Sequence, residues 1–317
     1  MRNAGQLIEE NLNRSMPNVA CAMLDKHKPV LLQESIEALD IQDGEIFLDG
    51  TLGGGGHSEE VLRRFPTTRI IGLDRDPEAV KRVREKLNIE IRVENFRHLD
   101  KVLEELEVRK VDAILLDLGL SSDQLETSGR GFSFLRDEPL DMRMSNEGIK
   151  AKDLLNSWDQ HAIELVLHGF GEERDSRKIA EEIVRRRGIK PFETTFELVE
   201  AVLKVKPRSF RDKIHPATKT FQALRIAVNE ELTNLEIGLE KGFKALDANG
   251  RFVVISFHSL EDRIVKNFFR DKVGLGLAKR VTSLYSARGN KPITASMEEI
   301  DENPRSRSAK LRVIEKI

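Results

Sequence analysis

The chain carries one cysteine, one tryptophan and one tyrosine in 317 residues. A lone Cys21 cannot close an internal disulfide, so the sequence predicts a protein of a reducing compartment, the cytoplasm. No apolar run approaches the ~20 residues of a membrane span, and residues 1 to 22 lack the basic start and apolar centre of a secretory signal. Histidine and cysteine do not cluster at metal-ligand spacing; the tightest pair, His161 and His168, stands two turns apart on one expected helix, so no metal is expected. There is no internal repeat and no low-complexity tract. A net charge of -2 offers no overall basic excess for a nucleic-acid partner, but the average hides a segregated pattern.

The most informative stretch that is present is Asp49-Gly50-Thr51-Leu52-Gly53-Gly54-Gly55-Gly56-His57, directly after the apolar run Glu45-Ile46-Phe47-Leu48. A strand running into consecutive glycines lets the backbone approach a ligand where a Cβ would collide, and Asp74, closing the next strand about 20 residues on, suits a ribose hydroxyl pair. His57 stands where a P-loop would carry its lysine, which disfavours a P-loop NTPase. The following helix opens His57-Ser58-Glu59-Glu60. With Asp49 those carboxylates form an expected anionic rim that repels a pyrophosphate and suits an ammonium and a sulfonium, as in S-adenosylmethionine. A ligand-free glycine-rich connection is the alternative.

The length accommodates one large domain plus an insertion. Strands are expected at residues 45 to 49, 69 to 74, 89 to 93, 111 to 117, 251 to 257 and 310 to 317, in a doubly wound α/β sheet covered on both faces. Asp76-Pro77 caps and opens a helix, and a further one carries Leu99, Val102 and Leu103. From Thr218 to Leu246 the apolar positions keep helical spacing, which predicts one long helix ended by Asn249-Gly250. Residues 119 to 216 break the strand–helix alternation with helical patterns near 159 to 168, 174 to 187 and 194 to 205. They form an expected helical insertion for substrate recognition, with the main domain at 23 to 118 and 217 to 317 and an extension at 1 to 22.

Acids recur at successive strand tips, Asp49, Asp74 and Asp117, and the crevice rule turns all three toward one pocket. Phe96 is placed to flank an adenine or to fill the core, and Gln124 can both donate and accept over the ligand. Gly129-Arg130-Gly131-Phe132-Ser133-Phe134 offers two aromatics on which a base could stack, and Asp141-Met142-Arg143 follows. Lys204, Lys206, Arg208, Arg211, Lys213 and Lys219 concentrate cations where insertion meets core: a phosphate-binding strip or a solvated hinge. Arg305, Arg307, Lys310 and Arg312 form a weaker cluster. His258, at the end of the fifth strand, caps, packs or reacts.

Taken together, several segments resemble the ribosomal RNA small subunit methyltransferase H family, the RsmH/MraW family. They are His27-Lys28-Pro29-Val30-Leu31, residues 49 to 58, Leu116-Asp117-Leu118-Gly119, Gly131-Phe132-Ser133-Phe134, Pro139-Leu140-Asp141-Met142-Arg143, His215-Pro216-Ala217-Thr218, residues 256 to 262 and Asn303-Pro304-Arg305. The resemblance implies a Rossmann-like, S-adenosylmethionine-dependent methyltransferase sheet and methylation of the exocyclic N4 of a cytidine in the decoding region of small-subunit ribosomal RNA, free or in the 30S particle. It implies cofactor contacts at Gly55, Gly56, His57, Asp74, Phe96, Asp117 and Gln124. The first twenty or so residues fall outside it, as a native extension or through a start placed upstream of Met23.

A cytosine amine has its lone pair delocalised into the ring, so transfer needs alignment and an acceptor for the proton. DNA amino-methyltransferases often carry Asp/Asn-Pro-Pro-aromatic after the fourth strand. Here Asp117-Leu118-Gly119-Leu120 lacks the prolines and the aromatic, leaving Asp117 or Asp141 as acceptor and Phe132 or Phe134 for stacking. Arg143, Lys206, Arg208, Arg211 and Lys213 are the expected RNA contacts, and the chain is a monomer or a dimer. A nicotinamide-dependent dehydrogenase and a non-catalytic RNA-binding assembly factor remain the rival readings.

Overall fold

Short, almost wholly apolar runs form the centre of the sheet: β1 (Ile46–Asp49), β2 (Arg69–Asp74), β3 (Glu90–Val93) and β4 (Val111–Asp117), joined later by β5 (Leu246–Ser256), β6 (Ala278–Arg280) and β7 (Lys310–Lys316). The computed structural model describes residues 28–121, 124–125, 128–210, 214–281 and 291–317. The strand order is β3-β2-β1-β4-β5-β7-β6. The strands β1 to β5 run parallel, and β7 enters antiparallel between β5 and β6. The chain thus adopts the expected Rossmann-like α/β sheet. Its order reverses between β1 and β4, and a crevice opens beyond the strand ends at such a switch point.

Helices α1 (Leu32–Leu39), α2 (Gly56–Arg64), α3 (Pro77–Lys86) and α4 (Leu99–Glu105) accompany the first strands. Asp76 caps α3 by accepting from the Glu78 amide, with Pro77 in the first turn, as its sequence predicts. A helical layer follows: α5 (Ala151–Ser157), α6 (Gln160–Gly171), α7 (Ser176–Arg187), α8 (Thr195–Val205) and α9 (Thr218–Asn229). The remaining helices are α10 (Glu231–Ala245), α11 (Ser259–Gly274) and α12 (Met297–Glu302). Among the described residues no helix is long and apolar enough to cross a membrane.

Two expectations are corrected. The single helix from Thr218 is two helices, because Glu230 adopts the left-handed conformation (φ 49°, ψ 36°). Phe221 and Leu224 of α9 pack into the helical layer with Leu154, Ile163 and Ile179, whereas Leu235 and Leu239 of α10 pack on the sheet with Leu48, Ile114 and Phe252. The helical layer's core therefore extends past residue 216, with Glu230 at the seam. Asn249-Gly250 does not end a helix: it lies within β5, where the pairing steps from Val111–Leu246 to Ala113–Arg251. Asn249 has φ 64°, and a Cβ on Gly250 would meet the Asp112 carbonyl at 2.7 Å, so the turn-forming pair serves a bulge.

Candidate active site

A cavity of about 830 Å³ opens beyond β1, β2 and β4. Hydrogen bonds between loop and strand tips hold its floor. Asp74 accepts from the Gly53 amide through Oδ2 and from the Asp76 amide through Oδ1, both at 2.8 Å. The Asp117 amide donates to Thr51 Oγ1 at 2.6 Å, fastening the glycine loop to β4. At Gly55, φ is 76° and a Cβ would approach Val83 to 3.0 Å, so glycine is required there by both conformation and space. Gly53, Gly56, His57, Asp74, Phe96, Asp117 and Gln124 line the cavity; Gly55 turns the chain behind it.

Of the expected anionic rim, Glu59 and Glu60 line the cavity but are held in ion pairs. Glu59 pairs with Lys86, while Arg63 and then Arg64 hold Glu60, pulling its carboxyl down to about 2. Both arginines lie one helical turn along from Glu60, the separation at which helix side chains meet. Asp49, expected to face the pocket, is 1% exposed and lies behind the wall, accepting from Ser58 Oγ at 2.7 Å and the Thr51 amide at 3.2 Å. Burial pushes it up to about 6. Of the three strand-tip acids, Asp74 and Asp117 face the cavity.

Phe96 packs so tightly on α10 that a Cβ on Gly238 would overlap its ring, yet it still borders the cavity. Gln124 is buried, accepting from the Ser121 amide at 3.1 Å and donating to Asp76 Oδ2 at 3.5 Å. His57 places Nε2 3.3 Å from the Val30 carbonyl and Nδ1 3.9 Å from Asp117 Oδ2. Asp117 is the most perturbed group: burial, then the charges of Asp49 and Glu261, raises its carboxyl well above the ordinary range, and its buried Oδ1 has no hydrogen-bond partner.

The residues expected to meet RNA are dispersed. Asp141 lies outside the cavity and receives Nε and Nη2 of Arg143 at 2.6 and 2.9 Å. Burial works to raise its carboxyl, but those hydrogen bonds carry it below the usual range. Arg143 is likewise committed to fixing the loop. Phe132 is buried in the core of the helical layer, and Phe134 stacks on His215, with centroids 4.8 Å apart, and meets Phe221 edge-on. Lys206 pairs with Glu173, which is 1% exposed, so it serves the fold; Arg208 is exposed. Arg211 and Lys213 lie outside the described residues.

The sequence reading missed a polar nest on the far side of Asp117. Arg225 of α9 gives Nε and Nη2 to Glu231 of α10 at 3.0 and 2.9 Å across the Glu230 break. Glu261 of α11 folds back so that Oε2 accepts from the Phe257 and His258 amides at 2.9 and 3.3 Å. His258 caps α11, its Nδ1 accepting from the Glu261 amide. Ligand atoms of Glu231, His258 and Glu261 lie within 4.8 Å of one another, a spacing that would suit a cation. With Nδ1 accepting, however, the ring proton resides on Nε2, and Arg225 already occupies Glu231, so the nest is built for hydrogen bonding. Only the helix break brings Arg225 and Glu231 to the cavity, and the unbroken apolar periodicity concealed it. Glu261, three residues after a capping His258, was the legible signal.

Residues 25–317 match the MraW methylase family. Ribosomal RNA small subunit methyltransferase H from Clostridium botulinum (strain Kyoto / Type A2) is 44% identical over 311 residues, covering 92% of this chain and 99% of that protein. Its namesakes from Geobacter sp. (strain M21) and Heliobacterium mobile are 45% and 46% identical, each over 92% of this chain and 98% and 99% of their own lengths. Membership at this level excludes the dehydrogenase reading. With its cavity at the switch point of the sheet and a match running from residue 25 to the last residue, the chain belongs to the MraW methylase family.

Proposed function

We propose that this protein is an S-adenosylmethionine-dependent methyltransferase that modifies the exocyclic N4 of a cytidine in the decoding region of small-subunit ribosomal RNA. The observation that carries this reading is one continuous cavity bordered by the glycine loop, Asp74 and Asp117. The donor set fits the cofactor. Asp74, pinned by two amides, keeps lone pairs for ribose hydroxyls, Phe96 walls the adenine end, and the open space above Gly54 admits the methionine portion. When bound, S-adenosylmethionine supplies an electrophilic methyl group on a sulfonium.

The protein's own residues orient the acceptor. Leu118 and Gly119 carry the chain past Asp117 along the cavity wall, and Met144 closes it from the helical layer. Burial, then the charges of Asp49 and Glu261, raises the Asp117 carboxyl well above the ordinary range, which favours the form that donates a hydrogen bond. Exclusion of water strengthens each polar contact made there. The reading is tested by incubating the protein with labelled S-adenosylmethionine and either 30S particles or naked ribosomal RNA, then mapping the label by mass spectrometry. Label on N4 of a decoding-region cytidine is the expected result. Label on another atom or nucleotide refutes the substrate assignment, and no transfer to either RNA favours a non-catalytic assembly factor.

A further inference from the structure

The polar nest beside Asp117 borders the proposed cofactor space yet takes no part in holding the glycine loop. Asp117 ends β4 in register with Ile255 of β5, and the Leu118 amide donates to the Ile255 carbonyl at 3.0 Å, so the two strand ends stay together as they leave the sheet. Beyond them, Gly119 (φ 109°) closes on the Phe257 ring, which a Cβ would reach at 3.2 Å. Glu261 folds back over the end of β5. The Asp117 and Glu261 carboxyls thus flank one gap, and both line the cavity.

Their committed and uncommitted atoms differ in a useful way. Glu261 spends Oε2 on two backbone amides. Its Oε1 pairs with His258 Nε2 at 3.1 Å and keeps a second lone pair. Asp117 Oδ1 has no partner. Burial works to raise the Glu261 carboxyl, but the His258 hydrogen bond and charge, then the charge of Arg225, carry it below the ordinary range. The recess therefore presents the Glu261 carboxylate as acceptor next to Asp117, whose buried Oδ1 meets no partner among the described residues, and an unsatisfied buried polar group of this kind is costly unless a ligand meets it.

We propose that Glu261 and Asp117 read the amino edge of cytosine, Glu261 accepting from the N4 amine and Asp117 donating to N3, and that this pair sets the preference for cytosine over uracil. The assignment rests on the cytidine reading given above. Cytosine offers an amine donor beside a ring acceptor; uracil reverses both, turning O4 toward a carboxylate and N3–H toward a donor. A site built to hydrogen-bond one pattern rejects the other strongly, because mispairing strands buried polar groups.

The test is a titration of the protein, loaded with S-adenosylhomocysteine, with cytidine and uridine monophosphates followed by NMR. Wild type is expected to favour cytidine by about 100-fold. Glu261→Gln keeps an oxygen for the Phe257 and His258 amides but can turn its NH₂ toward O4. It is expected to bring the two nucleotides within about threefold, mainly by gaining uridine affinity, while S-adenosylhomocysteine binding stays unchanged. Asp117→Asn keeps an NH₂ that donates to N3 and is expected to retain cytidine binding. Full preference in Glu261→Gln overturns the proposal and leaves the cytidine reading standing. Equal affinity of wild type for both nucleotides overturns the two together.

Discussion

Oδ2 of Asp117 stands 3.9 Å from Nδ1 of His57, and the other oxygen of the same buried carboxyl has no hydrogen-bond partner. With no close cation to offset them, burial and then the charges of Asp49 and Glu261 raise this carboxyl well above the ordinary carboxylate range.

A stability signature follows. Between the unfolded value near 4 and the raised folded value, the native state binds the proton that the unfolded chain has released. Asp117's contribution to stability is therefore complete below the unfolded value and is lost as pH rises through the folded one, and Asp49, at about 6, adds the same trend. Asp117→Asn removes this loss. By calorimetry the variant is expected to melt above wild type at pH 8, with the gap shrinking toward pH 4. A gap constant with pH would contradict the assignment.

Asp74→Ala is expected to weaken S-adenosylhomocysteine binding by about 100-fold or more in isothermal titration, near 3 kcal/mol, since it removes the ribose contact and frees the Gly53 and Asp76 amides. Asp74→Asn, able to accept but uncharged, should fall between. Wild-type affinity in Asp74→Ala would place the ribose elsewhere.

Gly55→Ala and Gly54→Ala make a matched pair. At Gly55 the left-handed backbone and the Val83 methyl both resist a Cβ, for an expected loss of about 1 to 3 kcal/mol in urea unfolding. At Gly54 a Cβ meets nothing within 4 Å, so stability should hold while cofactor affinity falls. Equal effects on stability would undo the distinction between the turning glycine and the one that borders the ligand.

Lys206 and Arg208 should separate fold from RNA binding. Lys206→Ala strands Glu173 in the interior and is expected to cost about 2 kcal/mol of stability, a figure discounted because the lysine itself is partly exposed. Arg208→Ala is expected to leave melting unchanged and to reduce the salt dependence of RNA binding by about one counterion. Reversed outcomes would make Lys206 the phosphate contact.

The sequence made the sheet legible because buried parallel strands are continuous apolar runs, and Asp49, Asp74 and Asp117 stand out at their ends. What those acids do was less legible. Asp49 proved to be internal because Ser58, one turn into α2, supplies the hydroxyl that satisfies it. Glu59 and Glu60 line the cavity but pair with Lys86, Arg63 and Arg64, partners set by helix geometry and by a neighbouring helix that composition does not locate. Phe132 and Phe134 resembled a stacking platform, but the helical layer needed them as core. Arg225 escaped notice because Val228, Leu232 and Leu235 keep perfect period across a break that one residue's φ creates.

That break at Glu230 reaches beyond local conformation. Unbroken, the stretch from Thr218 to Ala245 would be a rod of roughly 42 Å at 1.5 Å per residue, committed along its length to a single neighbour. A single left-handed residue, at about 1 kcal/mol of strain, divides it into two arms that grip different layers and meet where Arg225 clasps Glu231. The two layers share an elbow, and the cavity sits in its crook.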